Sequence, residues 1–565
     1  MSEYDARETF TTNLYTSTLT ESCVSSPRRE TPSLLAANLY LLVGLGVLIW
    51  GSSLPDIGVR YVVGIAVECV LAVGALFFMR LEKLSVRETL RWRWPGWQPL
   101  LLSGGLACGL WFIGIIINLM ATVALGYTTP LPPTTFPRDG REAFLLVLST
   151  VVVAPLCEEI MFRGYVQRAY ERRSPWIGIV VGGIIFALYH LRFQGAFALV
   201  PVAFTLGCVA WRSDSLFPGI LLHAAYNSIA SVVMIASSFS SAAVVSGVIM
   251  AFVCIGLFMV PVALVALWRL WRITAPPVRM ALPGPLGWRK WAWMVPLVVM
   301  LGIYGYSAFG EVVVGRFPET LAVEKLTLQP PAAWDIPTRW YYSIQGGINQ
   351  TVGTATCELT PQADSIELAC RVHQDAFKAD LPFEVPAGLD VSALLGFSLA
   401  GEAGESTQHV GWAKTDLTLQ SLTGTRQTNH ARLTLAHITV GGTPTLQVER
   451  AGVTETATLP AEILVDGEWP WRLSALPFAM TYGSTQPLAL VSAEGHIQIV
   501  PAFVLVTGSE PSWTPAGNFI TWKVTVTCEM DGQETTLTAW YDVEAPHTLV
   551  RYDNGEVSYL LERIE

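Results

Sequence analysis

Three short groups of residues in the first half of the chain are of types that can do chemistry. The stretch "VVVAPLCEEIMFRGYVQ" (151–167) sets Glu158, Glu159 and Arg163 at the end of an apolar run. His190 closes "FALYH", and His223 and Asn227 frame "HAAYN". Glu159 and Arg163 are four apart, so on a helix they share a face and can pair. That leaves Glu158, about 100° round the helix, without a local cation. A carboxyl in a partly dehydrated place suits general acid or base work. His223 and Asn227 are also four apart, and both can donate the hydrogen bonds that hold a developing oxyanion. Phe186, one turn before His190, shares its face and can pack against it. Bland alternatives exist for each group. A Glu-Glu pair commonly marks a helix end, and a lone membrane histidine is at least as often an interhelical hydrogen-bonding residue. Three groups in order on three helices are harder to explain as packing.

Membrane helices must position these residues. The 565 residues are 14% charged with a mean hydropathy of +0.44, against about 25% charged in an average soluble domain. Runs of about 20 apolar residues, enough to span a bilayer, fall at 34–53, 57–79, 99–126, 143–165, 176–191, 194–211, 216–237, 241–267 and 290–310. The basic segments "RLEKLSVRETLRWRW" (80–94), Arg168/Arg172/Arg173 and Arg269–Lys290 then fall on one side, together with Arg28 and Arg29. The positive-inside rule makes that side cytoplasmic, so the N-terminus is cytoplasmic and the chain end lies outside, in a multi-pass plasma-membrane protein. At about 1.5 Å per residue, Glu158 and His223 fall in the cytoplasmic third of their spans, while His190 comes out deeper. Pro155 is placed to bend the fourth span. Glu68 is the one other acid inside the predicted spans.

Residues 1–314 hold 22 Lys+Arg against 16 Asp+Glu, and residues 315–565 hold 13 against 29, so the net charge of −10 belongs to the second part. No basic face points to nucleic acid. The second part alternates polar and apolar residues, as in "WKVTVTCEM", broken by Asp531-Gly532 and Asn554-Gly555. Such runs predict hairpin-rich β-structure, folded as a sandwich or partly open barrel. The expected class is therefore a polytopic α-helical membrane protein with a C-terminal all-β extracytoplasmic domain. Its parts are a disordered tail (1–33), three helices (34–139), a catalytic helical core (140–235), helices eight and nine with a cytoplasmic linker (236–314) and the β domain (315–565). Nine cysteines show no CxxC or zinc spacing. Cys357 and Cys370 flank the turn signal "PQAD", which allows a disulfide, although the count is odd.

The motifs Glu-Glu-x-x-x-Arg in "EEIMFRG", Phe-x-x-x-His in "FALYH" and His-x-x-x-Asn in "HAAYN" resemble the CAAX-protease and bacteriocin-processing family of intramembrane endopeptidases. The resemblance covers about 140–235 and matches at every motif position. It implies a glutamate-dependent peptidase with no obligatory cofactor, in which Glu158 and His190 activate water and His223 and Asn227 hold the oxyanion. Glu159 and Arg163 would hold the helix. It implies a peptide or protein substrate at the lipid bilayer, prenylated or carrying a leader peptide, without choosing among these.

Rival readings stay open. Glu158, His190 and His223 could make a zinc set with an open position. The fold could instead be a non-enzymatic scaffold or receptor presenting the β domain to an extracytoplasmic ligand. A transporter would show inverted repeats, and no convincing repeat is found.

Overall fold

In a computed structural model, the structure describes residues 31–52, 60–129, 136–240, 242–275, 291–316 and, from 328 onward, all but 329, 347–349, 379–399, 429–431, 441–442, 461, 479–482, 493 and 531–532. The expected tail as far as residue 30, the segment 276–290 and the Asp531-Gly532 turn lie outside these.

Apolar runs become helices in a bilayer because a helix satisfies every backbone group within itself. Among the described residues nine form in order: α1 (Leu34–Ser52), α2 (Arg60–Leu81), α3 (Trp97–Leu125), α4 (Gly140–Glu171), α5 (Pro175–Tyr189), α6 (Phe193–Ser213), α7 (Phe217–Phe239), α8 (Ala242–Ile273) and α9 (Met294–Arg316). Eight are long and apolar enough to cross a membrane, and α5 is apolar but shorter. The chain is a multi-pass membrane protein with a nearly all-β second part.

Two departures from expectation matter for the site. α4 runs on to Glu171 instead of stopping near 165. Glu158 and His190 then both stand roughly 20 Å from the α4–α5 turn at 1.5 Å per residue, which removes the predicted mismatch between these two, while His223 stands about 9 Å into α7 by the same reckoning. α9 runs on to Arg316, so Glu311 is also an acid inside a span, and Glu68 does not stand alone.

α4 is irregular where the motif begins. Its backbone widens into π-helix over Leu148–Val153 and again over Glu159–Val166, on either side of the α-helical turn Ala154–Glu158 that holds Pro155. Such widened turns are rare and frequent at functional sites. On the basic side, Arg91 pairs with Glu171 and Asp214, fastening the α2–α3 connection to the ends of α4 and α6. Trp176, Trp211 and Trp271 cluster nearby with Arg212 stacked on Trp271, the aromatic girdle of a membrane interface.

Among the described residues the β domain is a 15-stranded sheet together with a small second one, in which Phe377–Lys378 pairs with Ala400–Gly401. From one edge at Val453–Thr458, neighbouring strands lead back to Gly404–Ala413, then to Ser365–Gln374 and on to Thr338–Gly346. That strand pairs with the C-terminal Val557–Ile564, and the sheet continues to its other edge at Leu464–Val465. Among the described residues the two edges do not pair with each other. A buried cluster draws on strands along its length and on the short helix Trp469–Arg472. Trp412 donates to Glu468 (3.0 Å) and the Tyr541 hydroxyl to the Pro470 carbonyl (2.6 Å), which seats that helix. Cys357 and Cys370 face each other on adjacent strands and are disulfide-bonded. Asn554-Gly555 makes its turn, with Gly555 at φ +86° and the Asn554 side chain accepting from Val557 N. The domain meets the membrane part where Asn518 Nδ2 donates to the Ser240 carbonyl at the end of α7 (3.3 Å).

Candidate active site

Glu158 ends the α-helical turn of α4 and Glu159 begins the π-helical stretch that follows. Glu159 is 0% exposed and Arg163 2%. They pair at 2.9 Å, as their spacing predicts. A buried charge pair is costly unless its remaining groups are also met, and here they are met in part, since Glu159 Oε2 has no hydrogen-bond partner. Arg163 Nη2 donates to the Ala203 carbonyl of α6 (3.1 Å), and its guanidinium lies over the Phe186 ring of α5, 4.3 Å from the centroid.

The pair reaches further than its own helix. His223 on α7, 5% exposed, brings Nδ1 to 3.1 Å from Glu159 Oε1, and its Nε2 faces Glu158 Oε2 at 3.8 Å. One imidazole therefore addresses both glutamates, one nitrogen to each. The backbone of α7 can approach because Gly219 opens the way. A Cβ there would stand 2.9 Å from Glu159 Oε2.

Asn227, one turn after His223, donates from Nδ2 to the Thr150 carbonyl in the first π-helical stretch (2.8 Å). Thr150 Oγ1 shares a hydrogen bond with Ser231 Oγ (2.9 Å). The widened backbone of α4 is thus held by α7 at this point. His190 caps the end of α5, with Nδ1 2.9 Å from its own Phe186 carbonyl. It joins the group through Phe186, whose ring lies 5.0 Å from the His190 ring and 5.7 Å from the His223 ring. Among the described residues no polar contact links His190 to Glu158.

Glu158 Oε2 is buried without a hydrogen-bond partner. On α2, which packs against the Ala154–Glu158 turn, Glu68 Oε2 is in the same condition. Among the described residues no three His, Cys, Asp or Glu side chains gather closely enough to hold a metal ion, and Glu158, His190 and His223 do not converge as a ligand set.

Six of the seven residues singled out by sequence are linked by these contacts, Asn227 meeting α4 through the Thr150 carbonyl instead, and sequence reasoning missed Gly219, Thr150 and, against Phe193 and Gln194 at the α5–α6 turn, Glu311. Gly219 gives no signal beyond a Pro-Gly at a helix start. Thr150 contributes a carbonyl, which every residue has. Glu311, in "YSAFGEVVVG", was legible only as an isolated acid just past the predicted end of a span.

Comparison with known proteins bears on this region. The family model described as Rce1-like, type II CAAX prenyl endopeptidase, matches residues 140–229, which hold all three motifs. An uncharacterized 24.3 kDa protein of Escherichia coli is 25% identical over 127 residues, covering 20% of this chain and 58% of that protein. UPF0177 protein YbdI of Lactococcus lactis is 28% identical over 133 residues, covering 21% and 72%. A crystal structure of a protein with a YmcC-like fold from Bacteroides fragilis aligns over 43% of this chain and all of its own at 9% identity. Its TM-score of 0.15 is too low to carry weight.

Proposed function

From the match of residues 140–229 to the Rce1-like endopeptidase family, we propose that this chain is an intramembrane endopeptidase of glutamic type. The observation that carries the proposal is the buried, unpartnered Glu158 Oε2 lying 3.8 Å from His223 Nε2. Two polar atoms at that separation suit a bridging water. Glu158, with His190, takes a proton from that water as its oxygen attacks the scissile carbonyl carbon. The carbonyl oxygen becomes an oxyanion, held by donors from His223 and Asn227. As the C–N bond breaks, the proton on Glu158 passes to the leaving amine. Glu159 fixes the ring direction of His223 by holding Nδ1, in the way a third group orients a catalytic base or donor. Arg163 and Phe186 hold Glu159 in turn.

The proposed orientation places the arginine-rich helix ends in the cytoplasm and the β domain outside. The Cys357–Cys370 disulfide supports an outer, oxidising location for that domain. The substrate class proposed is a membrane-associated peptide or protein, prenylated or carrying a leader. The test is Glu158→Gln in the full-length chain, scored on membrane proteomes with and without the variant. Loss of cleavage by a factor of about 1,000 or more, the scale of losing a catalytic group, with precursors accumulating and the fold intact, is expected. Full activity in Glu158→Gln sinks the mechanism, and a wild-type chain that cleaves nothing leaves a scaffold role.

A further inference from the structure

Fifteen residues of α5 rise only about 22 Å, less than the roughly 30 Å of a hydrocarbon core. The turn from α5 to α6 directly follows His190. Non-helical backbone between membrane helices is held where protein groups satisfy it. The turn also contains Leu191 at φ +54°, a conformation that bulky residues rarely adopt.

α9 supplies what the turn needs. Ser307 Oγ donates to the Leu191 carbonyl (3.1 Å). Glu311 Oε2 accepts from Phe193 N (2.7 Å) and Oε1 from Gln194 N (2.9 Å), so its carboxylate closes the first turn of α6. Thr129 Oγ1, 2.8 Å away, and the Tyr127 hydroxyl, 3.2 Å away, also meet Oε1. Gln194 Oε1 receives Thr129 N in return (2.6 Å). The backbone after His190 is thus held from the carbonyl of the left-handed leucine to Gln194 N by one helix, more than 110 residues later in the sequence.

We infer that Glu311 is a positioning residue for His190. By clamping Phe193 and Gln194 it fixes the turn at Leu191, and through it the direction of the imidazole. α9 is also the helix from which the chain continues into the β domain, so the clamp joins that domain to the site. The effect on rate rests on the peptidase reading, whereas the effect on His190 does not.

The experiment uses the full-length chain in lipid bilayers with nitrogen-15-labelled histidine, His190 and His223 being assigned by His190→Gln and His223→Gln. In Glu311→Ala, the ring resonances of His190 shift while those of His223 stay. In the same variant kcat falls about tenfold or more with KM within about twofold. Glu311→Gln, which keeps one accepting oxygen, retains a third or more of the rate. Unshifted His190 resonances in Glu311→Ala, or equal shifts at both histidines, overturn the inference. Should that variant not accumulate, Glu311→Asp, whose shorter side chain cannot reach both amides, replaces it, and an unmoved His190 there overturns it equally. A wild-type chain without Glu158-dependent cleavage overturns the peptidase reading alone, and the resonances still decide the clamp.

Discussion

Glu159 Oε1 lies 2.9 Å from Arg163 Nη1 and 3.1 Å from His223 Nδ1, so one buried oxygen ties the motif on α4 to the motif on α7. The spacing predicts the first contact and is silent about the second. Glu159 is therefore more than ballast for its own helix: it aims the imidazole that faces Glu158.

Removing one partner of a buried ion pair leaves an uncompensated charge and costs about 3–5 kcal/mol. Arg163→Met is expected to destabilise the membrane part by that amount in detergent unfolding. Adding Glu159→Gln to it should recover part of the loss. A double variant as unstable as the sum of the singles would mean that the two do not interact.

Gly219→Ala tests the approach of α7. The added methyl would meet Glu159 Oε2 at 2.9 Å, inside ordinary contact, and displaces the carboxylate that holds His223. A fall in kcat of about tenfold with little change in KM is expected, read in the same cleavage assay as wild type. An unchanged rate would show that the position of Glu159 does not matter to turnover.

Metal chelation separates the proposed water activation from the zinc alternative. Dialysis of the full-length chain against a chelator is expected to leave cleavage within about twofold of the starting rate, well short of what loss of a catalytic group does. Loss of activity restored by added zinc, with about one zinc per chain by elemental analysis, would replace Glu158 as general base with Glu158 as ligand.

The disulfide closes a loop of sequence separation 13 between two neighbouring strands. Loop-closure entropy sets its contribution near 3 kcal/mol. Cys357→Ser with Cys370→Ser should lower β-domain stability by about that much, and a reductant should do the same to wild type. Melting curves of the full-length chain with and without reductant read both.

Burial holds the Asp466 carboxyl above the ordinary carboxylate range, and Arg426 offsets part of the effect. A group whose folded pKa is raised binds its proton more tightly in the native state. Its contribution then favours folding at acid pH and is lost as pH rises from the unfolded value near 3.8 through the folded one. Asp466→Asn should raise β-domain stability at neutral pH and flatten the profile across that window. A profile identical to wild type would rule Asp466 out as its source.

The helices are legible in the sequence because a bilayer demands about 20 apolar residues per span, and the site faces because four-residue spacing stacks side chains on a helix. What stayed hidden has physical causes. The π-helical stretches beside Pro155 change register without any change in composition. Asn227 donates to a backbone carbonyl, Thr150, and carbonyls carry no signature in a sequence. The hairpins follow from alternation, but the pairing of Thr338–Gly346 with Val557–Ile564 joins the two ends of the domain, which local patterns cannot reveal. Glu311 meets the α5–α6 turn across more than 110 residues, and only the extra length of α9 brings it inside the membrane.

That last separation sets an order of events during synthesis. On the positioning role proposed for Glu311, the turn after His190 stays unbraced until the ninth helix has left the ribosome. At about 5–20 residues per second, this is a delay of roughly 6–24 s after His190 itself is made. A nascent chain already holding all three motifs would thus be inserted in the bilayer with its site slowed by the factor expected for Glu311→Ala. Its neighbours in the translocation machinery would be cut that much more slowly until the last helix arrives.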